Sequence, residues 1–185
     1  MRLATYTTNS PPRLGVVRDD QIIDVVALPG FVDITSMLSL IDQGKEGVAR
    51  LQQALADTND TALQAQNALH PLAEVHLLAP IPHPRKNIMC LGRNYADHAA
   101  EHGSSAPTTP IFFTKATTSV SGPYDSIVLD RAITSRLDWE VELGVILGRK
   151  GKNIPAAEAL DYVFGYTVID DVSARDLQFG RKRRQ

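Results

Sequence analysis

Acidic side chains at alternate positions are the first sign of chemistry in this chain. In "LDWEVELGV", residues 137–145, apolar and polar residues alternate strictly. A strand sends successive side chains to opposite faces, so Glu140 and Glu142 share one face with Asp138, and Trp139, Val141 and Leu143 share the other. Carboxylates crowded on one face repel, and poor solvation would raise their pKa values. Either that face is an open, wet strand surface, or something positive sits on it. A second acidic group lies in "GYTVIDDVSARDLQ", residues 165–178. There "YTVI" reads as a strand that ends at Asp170 and Asp171. "SARD" reads as a helix start, with Ser173 as N-cap and Asp176 as its reaching partner. Arg175 and Gln178, three apart, fall on one helical face beside Asp171. The plain alternative is a capped turn holding an Arg–Asp pair.

A third group lies in "CLGRNYADHAAEHG", residues 90–103. His98 and Glu101 are spaced i, i+3, so one helical turn sets them side by side. A carboxylate orients an imidazole and raises its basicity, as activation of a water requires. An exposed turn whose histidines face solvent would have the same spacing. His70, His76 and His83 lack such company and read as surface or structural residues.

Ligand chemistry narrows the metals. One cysteine and no spaced His pair argue against structural zinc. An all-oxygen set suits a hard cation, Mg²⁺ or Mn²⁺ before Ca²⁺. Neither common phosphate-binding glycine loop is present; "GRKGKN", residues 148–153, lacks the spacing, and no G-x-S-x-G elbow offers a serine nucleophile.

Positioning these groups takes a framework of strands. "MRLATYTT", "RLGVVRDD" and "QIIDVVAL" read as extended runs, the last two joined as a hairpin at Asp19-Asp20. Residues 35–57 switch to helical spacing: Met37, Leu38, Leu40 and Ile41 form one stripe, Val48, Leu51, Ala54 and Leu55 a second, with Gly44 interrupting between them. Prolines crowd residues 71–84 and bias the chain away from helix. "NIMCLG", "PIFFTK", "SIVLD", "LDWEVELGVILG" and "VFGYTVID" follow as strand-like runs. The expected organisation is a small α+β module over 1–78, a proline-rich linker over 79–86 and a largely β part over 87–185.

With 185 residues, 43% hydrophobic and 22% charged, the composition is that of a globular protein. A formal charge of −2 gives no electrostatic footprint for nucleic acid, and the basic run at 181–184 reads as a solvated tail. Cys90 is the single cysteine, so no intrachain disulfide forms. The absence of a signal-type h-region or long apolar run points to a cytoplasmic protein with no membrane partner.

Taken together, the ordered segments resemble the fumarylacetoacetate hydrolase family. The matching stretches are "GRNYADHAAE" (92–101), "FTK" (113–115), "DWEVELGVILG" (138–148) and "GYTVIDDVSARDLQ" (165–178). The resemblance implies a mainly β fold with an α+β N-terminal module, the β part being the front of the family's mixed β-sandwich roll. It implies Glu140, Glu142 and Asp171 as ligands of Mg²⁺, with Mn²⁺ or Ca²⁺ as substitutes. It implies His98 and Glu101 as a water-activating dyad, and Arg175, Gln178 and Lys115 as groups that hold substrate. The activity implied is metal-dependent hydrolysis of a C–C bond in an acylpyruvate or other β-dicarbonyl 2-oxo acid, carried out by a homodimer. The family also holds isomerases of 2-hydroxyhepta-2,4-diene-1,7-dioate and oxaloacetate decarboxylases. Its members continue past the segment where this chain ends, so an inactive shortened paralogue is a further reading.

Overall fold

The computed structural model of the chain describes residues 1–92, 94–95 and 108–178. The first five strands are β1 (Arg2–Thr7), β2 (Arg13–Arg18), β3 (Gln21–Asp24), β4 (Leu69–Pro71) and β5 (His76–Leu77). They form one antiparallel sheet in the order β4-β3-β2-β1-β5. The expected hairpin is present: Arg18 pairs with Gln21, and Asp19 takes a left-handed φ of 54°.

 That left-handed conformation of Asp19 is what a two-residue hairpin loop requires, because its twist matches that of the flanking strands.

Helices cover one face of this sheet. α1 (Met37–Asp42) and α2 (Gly44–Asp57) are separated at Gly44, whose φ of +61° suits a residue without a side chain. Ser36 caps α1: its hydroxyl accepts from the Ser39 amide at 3.1 Å, and the Ser39 hydroxyl accepts from the Ser36 amide at 3.0 Å. Both expected stripes face inward, with Met37, Leu40, Ile41 and Leu51 buried against Leu14, Val16 and Ile23. A third helix, α3 (Asp60–Ala65), was not expected from the sequence. Its start is set by Asn59, whose side chain accepts from the Ala62 amide at 2.9 Å.

The second half consists of paired strands. β6 (Ile88–Gly92) pairs with β7 (Ile111–Lys115), β8 (Leu137–Asp138) with β11 (Ser173–Ala174), and β9 (Val141–Leu147) with β10 (Val163–Asp170), all antiparallel. A short helix, α4 (Arg175–Gln178), follows. Three expectations need correction. Residues 126–130, "SIVLD", lie in no strand, since no segment among the described residues supplies a ladder there. The run 137–145 is two strands rather than one, because Asp138 pairs across to Ser173 while Val141 pairs to Asp170. Ser173 lies in β11 and is no helix cap; Asp176 instead binds a loop, as described below.

The two halves are docked together. Ile146 on β9 and Phe164 on β10 pack against the core of the first module. Lys45 on α2 donates to Asp161 at 2.8 Å, and Arg85 grips Asp42 in a fork at 2.7 and 2.6 Å. Among the described residues, no helix is long and apolar enough to cross a membrane.

The apolar face of β9 points outward. Trp139, Val141 and Leu143 are 70%, 68% and 60% exposed, whereas Glu140 and Glu142 are half-buried. Of the two alternatives for the carboxylates, an open wet surface or a face met by positive charge, the structure has the second: the sheltered face is the acidic one.

The first sheet is packed most tightly at Gly15. A Cβ there would stand 2.4 Å from Ile22 Cγ1 and 2.9 Å from Tyr6 Cε1, both on buried side chains. Gly15→Ala is expected to destabilise the chain by about 1–3 kcal/mol through overpacking. Urea unfolding would show this as a lower midpoint at an unchanged slope.

Candidate active site

The acidic face is assembled by strand register. Glu142 stands opposite Ile169 and Val141 opposite Asp170. One step further, the Asp171 amide donates to the Glu140 carbonyl at 2.8 Å. Directly opposed residues of an antiparallel pair share a face, with Cβ atoms roughly 5 Å apart. Glu140, Glu142 and Asp171 are therefore brought to one side of the β9–β10 ladder, although nearly thirty positions separate Glu142 from Asp171 in the sequence.

Positive groups meet this face. Lys115, the last residue of β7, forms an ion pair with Asp171 and donates to the Val172 carbonyl at 3.1 Å. Asp171 is only 7% exposed. Among the described residues its sealed Oδ1 receives no hydrogen bond of regular geometry, and the Lys115 ammonium is the charge that offsets it. Arg175 opens α4 and serves two acids at once, Asp138 through Nε at 2.9 Å and Glu140 through the other end of its guanidinium. Burial works against the Arg175 charge, but these two carboxylates outweigh it and hold its pKa above the ordinary value. The same ion pair holds the Asp138 carboxyl below the usual carboxylate range. Arg175 also donates to the Gln178 side-chain oxygen at 2.9 Å, which fixes the exposed amide on the same rim.

The turn that carries Arg136 and leads into β8 is tied to α4 by Asp176. Its carboxylate accepts from the Thr134 hydroxyl and, at 3.1 Å, from the Ser135 amide. Those bonds hold the Asp176 carboxyl below its ordinary range, the Thr134 hydroxyl being the larger cause. In the sequence Asp176 read only as a capping partner; the segment it binds lies forty positions upstream, beyond the reach of local pattern.

Two groups passed over in the sequence belong to this neighbourhood. Cys90 lies on the inner face of β6, opposite Phe113 on β7. Burial pushes its thiol up, and the Asp171 and Glu142 carboxylates push it further while Lys115 opposes them. Tyr95 accepts a hydrogen bond from the Leu143 amide at 3.3 Å, which ties Tyr95 to β9 next to Glu142. His98 and Glu101 themselves lie outside the described residues.

Glu140, Glu142 and Asp171 would offer a divalent cation hard oxygen ligands from one face, and among the described residues the sealed Asp171 Oδ1 has no regular donor, so the donor type fits. Asp171, however, is turned to Lys115 and Glu140 to Arg175. Among the described residues no three acidic, His or Cys side chains stand close enough to hold an ion without moving.

Comparison with known proteins adds the following. The model of the fumarylacetoacetate (FAA) hydrolase C-terminal domain matches residues 87–185. Oxaloacetate tautomerase YisK of Bacillus subtilis is 36% identical over 99% of this chain and 64% of its own length. A fumarylacetoacetate hydrolase from Exiguobacterium antarcticum superposes with a TM-score of 0.74 at 34% identity, covering 97% of this chain and 58% of that one. Maleylpyruvate hydrolase from Sphingobium sp. SYK-6, solved with manganese(II) and pyruvate, gives a TM-score of 0.70 at 29% identity over 98% of this chain and 60% of that one. The chain thus spans less than two thirds of the length of each of these relatives.

The neighbourhood of Cys90 yields a direct check. Asp171→Asn removes a negative charge that disfavours the thiolate and leaves Lys115 to favour it. Alkylation of Cys90 by iodoacetamide at fixed mildly alkaline pH is expected to quicken several-fold; an unchanged rate would separate Cys90 from the acidic face.

Proposed function

Since the chain belongs to the fumarylacetoacetate hydrolase family, we propose that it contributes the metal-binding face of an enzyme that interconverts the keto and enol forms of a small 2-oxo dicarboxylic acid of the oxaloacetate type. The observation that carries this reading is the meeting of Glu140, Glu142 and Asp171 on one face, ringed by Lys115 and Arg175. The Bacillus relative, matched along nearly the whole chain, supports tautomerisation over the C–C hydrolysis expected from the motifs.

Keto–enol exchange moves one proton from the carbon next to the 2-oxo group and one to its oxygen; no bond to water forms. Glu140, Glu142 and Asp171 would hold Mg²⁺ or Mn²⁺, which when bound polarises the carbonyl and steadies the enolate. Arg175 presents a guanidinium whose fork matches a carboxylate, and Gln178, its oxygen already engaged by Arg175, has its amide hydrogens left to donate to the same group. Lys115 adds a second cation for the other end of a diacid. His98, oriented by Glu101, is assigned the proton transfer at carbon. A homodimer acting in the cytoplasm on this small acid, with neither nucleic acid nor membrane as partner, completes the proposal. The outward apolar face of β9 and β10 supports self-association.

Hydrolytic C–C cleavage is the second reading, favoured by the likeness to maleylpyruvate hydrolase. It would use the same carboxylates, with His98 activating a water instead. The two part in an assay with Mg²⁺ or Mn²⁺ present. Decay of the enol absorbance of oxaloacetate is expected to accelerate while acylpyruvates stay intact. Glu142→Gln is expected to abolish the effect, and His98→Ala to lower kcat about 10²–10⁴-fold. Cleavage of acylpyruvate without tautomerisation would reverse the order of the readings, and inertness toward both would favour a non-catalytic paralogue.

A further inference from the structure

Two cations already occupy the acidic face. Lys115 is paired with Asp171, Arg175 with Glu140, and the carboxylates are turned toward these partners rather than toward one another. Of the two contacts the Lys115 one is the more consequential. Asp171 is the most buried of the three acids, and an uncompensated charge at that depth is costly. Lys115 therefore solves the problem of that buried charge. It also creates another, since a dication brought to Asp171 meets a like charge already in place.

We propose that Lys115 is a built-in counter-ion that competes with the divalent metal for Asp171, so that loading of the face requires the ammonium to swing aside. The inference rests on the reading of Glu140, Glu142 and Asp171 as metal ligands. The Val172 carbonyl, 3.1 Å from the ammonium, gives Lys115 a second anchor one residue beyond Asp171. Released from the carboxylate, the ammonium stays at the rim, and its charge becomes available to an anionic ligand. The apparent affinity for metal is then the intrinsic affinity scaled down by the fraction of molecules whose Asp171 is free. Metal and anionic ligand should favour one another, since each draws on the same displacement of Lys115.

Calorimetric titration of the metal-free protein with Mn²⁺ tests this without any turnover. Lys115→Met is expected to bind Mn²⁺ at least about tenfold more tightly than the wild-type chain, while Lys115→Arg, which keeps the charge, stays near wild type. Thermal melting supplies a second readout. Without metal, Lys115→Met should melt lower because Asp171 loses its partner, and saturating Mn²⁺ should recover most of the loss. If Lys115→Met does not fold, Lys115→Gln keeps a hydrogen-bond donor without the charge and should show the same tightening. Equal or weaker Mn²⁺ binding by the neutral variants, beside a wild-type chain that binds, overturns the competition and leaves the metal reading intact. No saturable binding by the wild type or either neutral variant overturns both.

Discussion

Like charges gathered on one face of a strand pair must be neutralised, and the second half of this protein is organised around that constraint. Glu140, Glu142 and Asp171 reach the same side of the β9–β10 ladder, and Asp138 stands beside them. Lys115 arrives from β7 and Arg175 from α4, so elements far apart in the chain converge because each carries charge that another needs. Asp176 then ties α4 to the turn before β8, which keeps Arg175 at its post. Electrostatic compensation and shape are one problem here. A dication is the other way to neutralise such a face.

The first sheet and its helices hold the main buried core. They bury Leu14, Ile23, Leu40 and Leu51 completely, and Ile146 and Phe164 reach into the margin of that core from the strands that carry the acids. Apolar burial on one side of β9 and β10 fixes which way their alternate residues point, because a one-residue slip would exchange the faces. The outward side of the same strands carries Val141, Leu143, Val145, Tyr166 and Val168, all exposed. An apolar surface of that extent is what a further layer of protein covers in a β fold.

Local pattern was sufficient for much of this. The alternation in 137–145 placed Glu140 and Glu142 together, the helical stripes around Gly44 appeared as read, and the Asp19-Asp20 hairpin formed where turn chemistry asked for it. The ordered motifs were enough for the family. Short-range spacing also paired Arg175 with Gln178. Failures had a common cause. "SIVLD" has strand composition but no partner segment, the run 137–145 divides because its two ends face different neighbours, and Ser173 was drawn into a ladder with Asp138 before it could cap a helix.

The sequence by itself determined which residues carry charge, their period along each strand, and the ancestry that the ordered motifs record. Only the tertiary structure decided that Lys115 faces Asp171, that Arg175 bridges Asp138 and Glu140, that Cys90 lies beside the acids, and that the carboxylate face is the sheltered one. Periodicity is a property of neighbours along the chain, whereas the sign of the charge opposite a carboxylate depends on strand pairing and on the burial of a distant core.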